Sequence, residues 1–230
     1  DGQLARVTLA HSGRMNAMSR DMWRELKQVA ESLQARADLR CVIVCGEGGH
    51  FCAGGDIAEY PAFRFNEAKL REFHEETVWG ALQALLDCDL PLIAQIEGNC
   101  MGAGVEIAAC CDIRIAGQGA KFGAPIARLG FPMAPREAQL VAGAAVLLTA
   151  REMLLEAAVL DAPTLLARGF VNAVVPDADV AQEARRRAHR IEKLAPRAAR
   201  LNKQTLRALS AAPAQSGNVA AALEAWMAVA

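Results

Sequence analysis

The sequence predicts an α/β fold. Three observations carry the reading. Strand-like runs alternate with amphipathic stretches at helical spacing, glycine-rich loops join them, and the apolar residues are mostly Ala, Val, Leu and Ile. With 53% hydrophobic and 5% aromatic residues in a chain of 230, there is enough apolar surface to build a core without disulfide staples.

Taken in order, Leu4-Ala5-Arg6-Val7-Thr8-Leu9 alternates as a half-buried strand. Ser19 reads as the N-cap of a helix whose apolar stripe is Met22, Leu26, Val29, Ala30 and Leu33. Leu39 to Cys45 is an almost unbroken apolar run, the pattern of a strand covered on both faces. A glycine-rich loop follows from Gly46 to Asp56, and residues 66–88 read as a long helix. The second half repeats the theme. Pro91 to Ile96 is a strand, Gly98 to Gly104 a loop, Val105 to Cys111 a short apolar helix, and Ile113 to Ala116 another strand. Turn signals at Gly123-Ala124-Pro125 and Gly130-Phe131-Pro132 precede helical segments at 135–148, 151–157 and 163–168. Phe170 to Val175 gives the last strand. Pro176-Asp177 is the one candidate boundary, separating a core over 1–176 from a helical region over 177–230 that is expected to stand as an appendage.

Composition also narrows function. A net charge of −1 argues against general binding to a nucleic-acid backbone, and no apolar stretch approaches the ~20 residues of a membrane span. The seven cysteines form no C-x-x-C pair, and the four histidines are scattered, so no metal site is expected. Free, buried cysteines fit a reducing, cytoplasmic setting. The chain begins at Asp1, which leaves a short preceding leader open.

Both glycine loops run from a strand towards a helix, where backbone N–H groups can point into a cavity and stabilise an oxyanion. The alternative is that the glycines only make tight turns. Glu106 is a lone acid in an apolar stretch. It reads either as a general acid or base beside such a site or as the partner of Arg114 in a structural ion pair.

Phe51-Cys52-Ala53-Gly54-Gly55-Asp56-Ile57 resembles the A-G-x-D-[IL] loop of the crotonase (enoyl-CoA hydratase/isomerase) family, and Pro91 to Glu106 resembles the family's second signature. The segments Arg14 to Met18, Cys111 to Ala116, Lys121 to Pro125 and Ala167 to Asn172 continue the likeness, which spans roughly residues 4–209. The resemblance implies a spiral of β-β-α units with a C-terminal helical region that assembles homotrimers or dimers of trimers. It implies an acyl-CoA thioester substrate, with coenzyme A as part of that substrate and no separate cofactor. By motif position the oxyanion amides are those of Ala53 and Ala103, the latter at a position more often glycine. Arg14, Met15, Ala17, Gly55, Asp56 and Ile57 match the region that holds coenzyme A.

The chain departs from the family at the catalytic pair. Glu106 matches the first glutamate of family hydratases, but Ile126 stands where the second is expected, and Ala134 where some relatives carry an aspartate. Glu137 reads first as a solvated charge at a helix start next to Arg136, with a second acid for the site as the alternative. His74 and Tyr60 are lesser candidates for the cavity wall. The basic residues between Arg185 and Arg207 read mainly as solvated helix faces, with one or two reaching a neighbouring subunit's coenzyme A. The alanine-rich tail reads as an oligomer contact. The leading expectation is an enoyl-CoA hydratase-like lyase. The rivals are decarboxylation, thioester hydrolysis or retro-aldol cleavage on the same fold, and a catalytically silent coenzyme A-binding subunit.

Overall fold

The computed structural model describes residues 2–210. Strand β1 (Leu4–Leu9) leads to helix α1 (Arg20–Gln34), whose N-cap Ser19 accepts a hydrogen bond from the Met22 amide at 3.2 Å. Strand β2 (Cys41–Gly46) precedes the first glycine loop. The predicted long helix is one continuous rod, α2 (Glu67–Arg71), a π-helical turn (Glu72–Val78) and α3 (Trp79–Asp87). Strands β3 (Leu92–Ile96) and β4 (Asn99–Met101) lead into α4 (Ala103–Cys110), then β5 (Ile113–Gly117) and β6 (Lys121–Gly123). A 3₁₀ turn (Pro125–Leu129) precedes α5 (Pro135–Ala145) and α6 (Leu147–Leu155). The remainder is β7 (Val159–Asp161), α7 (Ala162–Ala167), β8 (Ala173–Val175), α8 (Val180–Glu192) and α9 (Pro196–Ser210).

Five strands form a fully parallel sheet in the order β1-β2-β3-β5-β8. A smaller sheet, β4-β6-β7, pairs β4 with β6 in parallel and β6 with β7 antiparallel. The apolar run of β2 follows from burial on both faces. Val42 and Val44 point into the main core, whereas Cys41 and Ile43 pack with Ile93 and Ile115 against Val180, Ala184 and Ala188 of α8. Each such aliphatic side chain contributes about 1.5–3 kcal/mol when fully buried. The small alanines let α8 lie close to the sheet. This corrects the expected appendage, because the helix after Pro176-Asp177 is the layer that covers the sheet's second face.

Three of the basic residues are corrected in the same way. Lys203 pairs with Asp112 at 2.7 Å, Arg207 with Asp89 at 2.9 Å, and Arg200 donates to the Arg36 carbonyl, so these side chains tie α9 to the body of the protein. Arg186 and Arg187 both pair with Glu183 within α8. All seven cysteines are free and buried. Among the described residues no group of three or more potential metal ligands occurs, and no helix is long and apolar enough to cross a membrane. The alanine-rich tail lies outside the described residues.

Candidate active site

The two glycine loops meet. Cys52 donates to the Asn99 carbonyl at 2.9 Å and accepts from the Met101 amide at 2.8 Å, which joins the first loop to β4 as a short parallel bridge. Gly104 makes the approach possible, since a Cβ there would lie 2.7 Å from the Cys52 carbonyl oxygen. Gly102 turns the chain into α4 with φ +46°, a conformation that L side chains rarely adopt. The Arg14–Met18 loop is laced onto the same place. Met18 donates to Gly54 at 2.8 Å, Asp56 to Met18 at 2.9 Å and Ala53 to Met15 at 3.0 Å.

That last bond corrects the oxyanion assignment. The Ala53 N–H is spent on the Met15 carbonyl and holds the loop in place. Two residues on, the Gly55 N–H has no acceptor among the described residues, and Gly55 lines the cavity beside the loops. Ala103 opens α4, where a first-turn N–H has no acceptor within its own helix, and it lines the same cavity. Gly55 and Ala103 therefore line one cavity, each with an N–H that has no acceptor among the described residues.

The cavity measures about 290 Å³ and is mostly apolar, with Trp23, Val78, Ile126, Phe131 and Met133 in its wall. Five ionisable side chains break that surface: Tyr60, His74, Glu106, Arg128 and Glu137. Glu106, on the first turn of α4, is 4% exposed, and Glu137, on the first turn of α5, is also 4% exposed. His74, from the π-helical turn, lies within hydrogen-bond reach of Glu137, with Nδ1 2.8 Å from Oε1. Glu137 is thus no solvated charge. Its neighbour Arg136 turns outward and pairs with Glu75 at 3.3 Å, while Pro135 at the helix start directs the next turn inward. Burial, and then the like charge of Glu137, raise the Glu106 carboxyl well above the usual carboxylate range. The ion-pair reading of Glu106 is also corrected. Arg114 donates to the carbonyls of Ala108, Cys111 and Phe170, fastening the end of α4 to the segment before β8.

Ile126 lines the cavity from the 3₁₀ turn, at the place where a second acid was missing. Ala134 is buried at the start of α5. Of the expected coenzyme A residues, Gly55 and Ile57 line the cavity and Arg14 and Met15 are exposed on the laced loop. Ala17 is buried, and the Asp56 carboxylate accepts from the Ala58 amide at 3.1 Å. Sequence reasoning missed the free Gly55 amide and the His74–Glu137 contact. The direction of an N–H within a glycine loop leaves no mark on residue type, and residues 63 positions apart meet only through the fold.

Two buried carboxyl groups and two residues with unbonded amides line one mostly apolar cavity, a set that can move a proton next to a carbonyl group. The chain belongs to the enoyl-CoA hydratase/isomerase family, whose model matches residues 1–226. It is 30% identical over 207 residues to a short-chain-enoyl-CoA hydratase of Clostridium acetobutylicum, a match covering 90% of this chain and 78% of that protein. Among solved structures, an enoyl-CoA hydratase/carnithine racemase of Magnetospirillum magneticum superposes with a TM-score of 0.88 at 35% identity, covering 94% of this chain and 82% of the other. A monofunctional enoyl CoA isomerase from M. smegmatis superposes with a TM-score of 0.77 at 27% identity, covering 94% and 93%.

Proposed function

We propose that the protein is a hydratase-like lyase that adds water across the 2,3 double bond of an enoyl-CoA thioester. The observation that carries this reading is the burial of Glu106 and Glu137 in the wall of one cavity that also receives the Gly55 and Ala103 amides. The amides hold the thioester oxygen, so the charge of the enolate develops against two N–H donors. His74 Nδ1, 2.8 Å from Glu137 Oε1, holds that carboxyl group in place in the cavity wall. Glu137 takes a proton from water as its oxygen bonds to C3, and the double-bond electrons move to the thioester oxygen. Glu106, kept protonated by its surroundings, gives its proton to C2 as the enolate collapses. One water is consumed. The proton gained by Glu137 returns to Glu106 between turnovers.

Glu137 therefore supplies from α5 the second acid that Ile126 cannot. The phosphate-bearing part of coenzyme A runs along the rim formed by Arg14, Met15, Ala17, Asp56 and Ile57, where Arg14 offers a cation. Coenzyme A arrives as part of the substrate, and the step needs no further cofactor. Exposed Val146, Leu147, Leu148 and Leu155 on and beside α6 offer an apolar face for the proposed assembly into a homotrimer or a pair of trimers.

The test is a substrate panel read by mass spectrometry: crotonyl-CoA, a 3-enoyl-CoA, malonyl-CoA and a 3-hydroxyacyl-CoA. The expected result is gain of one water by crotonyl-CoA and its loss from the 3-hydroxyacyl thioester. Loss of carbon dioxide, release of free coenzyme A, double-bond migration alone, or no turnover would each overturn the hydratase reading.

A further inference from the structure

One polar atom in the cavity wall has no part in the step above. Tyr60, the only tyrosine of the chain, opens the 3₁₀ turn (Tyr60–Ala62) just after the first glycine loop. Its ring is held on three sides. Phe131 stacks on it at 5.3 Å, Phe63 lies at 5.1 Å and Phe73 meets it edge-on at 5.8 Å. Phe63 and Phe73 are buried, and Phe131 is held in turn by the Arg64 guanidinium, 4.8 Å from its ring centre. This packing fixes where the hydroxyl points. A Cβ built on Gly55 would lie 3.1 Å from Tyr60 Oη, so the hydroxyl stands over the α-carbon of the residue whose amide faces the cavity. Glycine at position 55 leaves that space open.

The hydroxyl makes no hydrogen bond among the described residues. Burial first, then the neighbouring carboxyl groups, Glu137 before Glu106, push the phenol above its ordinary value, so it stays an O–H donor. A donor fixed in an apolar wall favours a ligand that offers it an acceptor, and it disfavours a pure hydrocarbon that leaves it unpaired. Of the other side chains in the wall only Glu106 and Glu137 carry an oxygen, and neither makes a hydrogen bond to the hydroxyl; Trp23, Val78, Ile126, Phe131 and Met133 offer it no oxygen acceptor. The cavity, about 290 Å³, has room for a short acyl chain.

We propose that Tyr60 is a specificity residue whose hydroxyl donates to an oxygen on the acyl chain beyond the thioester, so that the site prefers short oxygen-bearing acyl-CoA thioesters to plain ones of equal length. This rests on the acyl-CoA reading but not on hydration. The experiment measures binding by calorimetry, with butyryl-CoA and acetoacetyl-CoA as probes. Both have four acyl carbons, neither has a 2,3 double bond to hydrate, and only the second carries an oxygen on C3. The expected result is tighter binding of acetoacetyl-CoA by the unaltered protein. Tyr60→Phe, which keeps the ring contacts, loses about tenfold for acetoacetyl-CoA and nothing for butyryl-CoA. An unchanged preference in Tyr60→Phe overturns the proposal. Failure of the folded, unaltered protein to bind either probe overturns the acyl-CoA reading and this proposal together. Normal binding without turnover of crotonyl-CoA overturns hydration alone.

Discussion

Glu106 sits where a carboxylate is expensive, in a helix turn surrounded by apolar side chains, with a second acid nearby. Its raised pKa has a definite sign in stability. The folded protein holds this proton to higher pH than the unfolded chain, so the contribution is fully present below the ordinary glutamate value of about 4.3 and is lost as pH rises through the folded value. Glu106→Gln is therefore expected to be more stable than the unaltered protein above that range, with the gap widening as pH rises. Denaturant melts across pH check it, and a variant less stable at neutral pH contradicts it. Arg114 is the opposite case, a buried cation whose donors all reach carbonyls. Arg114→Met leaves three acceptors unpaired and is expected to cost about 2–4 kcal/mol in the same melts. At this scale the motif spacing put Glu106 and Ala103 in one short segment, and both line the cavity. Glu137 was misread, because the letters around it do not show that Pro135 and Arg136 turn one side chain out and the next one in.

At the scale of elements, the meeting of the two glycine loops depends on the close approach at Gly104. Gly104→Ala drives a methyl group against the Cys52 carbonyl, and overpacking of this kind costs about 1–3 kcal/mol. Because Cys52 and Met101 flank the two amides, the variant is expected to lose kcat more than KM, and steady-state kinetics beside a thermal melt decide it. Most elements could be read from apolar periodicity, including β2, α1 and the rod over residues 67–87. The three-residue strands β4, β6 and β7 could not, whereas β8, equally short, lies within the longer apolar run Phe170 to Val175 that marked it. The break between α5 and α6 was hidden too. The sequence favours helix through residue 148, yet Val146 takes φ +65° and splits it. Nor does any pattern of letters announce the π-helical turn that brings His74 to Glu137.

Across the whole molecule, the sheet is sandwiched between the main helical core and α8, and α9 is fastened by polar contacts. Asp89 is the hub of that fastening. Its carboxylate accepts from Gln34 at 2.9 Å, Gln204 at 2.7 Å and Arg207 at 2.9 Å. Burial pushes its pKa up, but the bonds from Gln34, Gln204 and Arg207 outweigh it and hold the group below the ordinary aspartate value. The stability it gives is present above that value and is lost as pH falls through the folded one. Asp89→Asn is expected to cost about 1–3 kcal/mol at neutral pH and to flatten the acid limb of the stability curve, with kcat unchanged. The α/β class was legible from alternation alone, whereas the placement of α8 was not, because an alanine-lined helix reads the same against a sheet as on an appendage. The same body carries the cavity lined by Glu106 and Glu137. The most direct test is the rate of crotonyl-CoA hydration by Glu106→Gln and Glu137→Gln, each checked for folding. Each is expected to lower kcat by about 10²–10⁴ while crotonyl-CoA still binds. Full turnover by Glu137→Gln would contradict the account, since the second acid would then have to come from elsewhere.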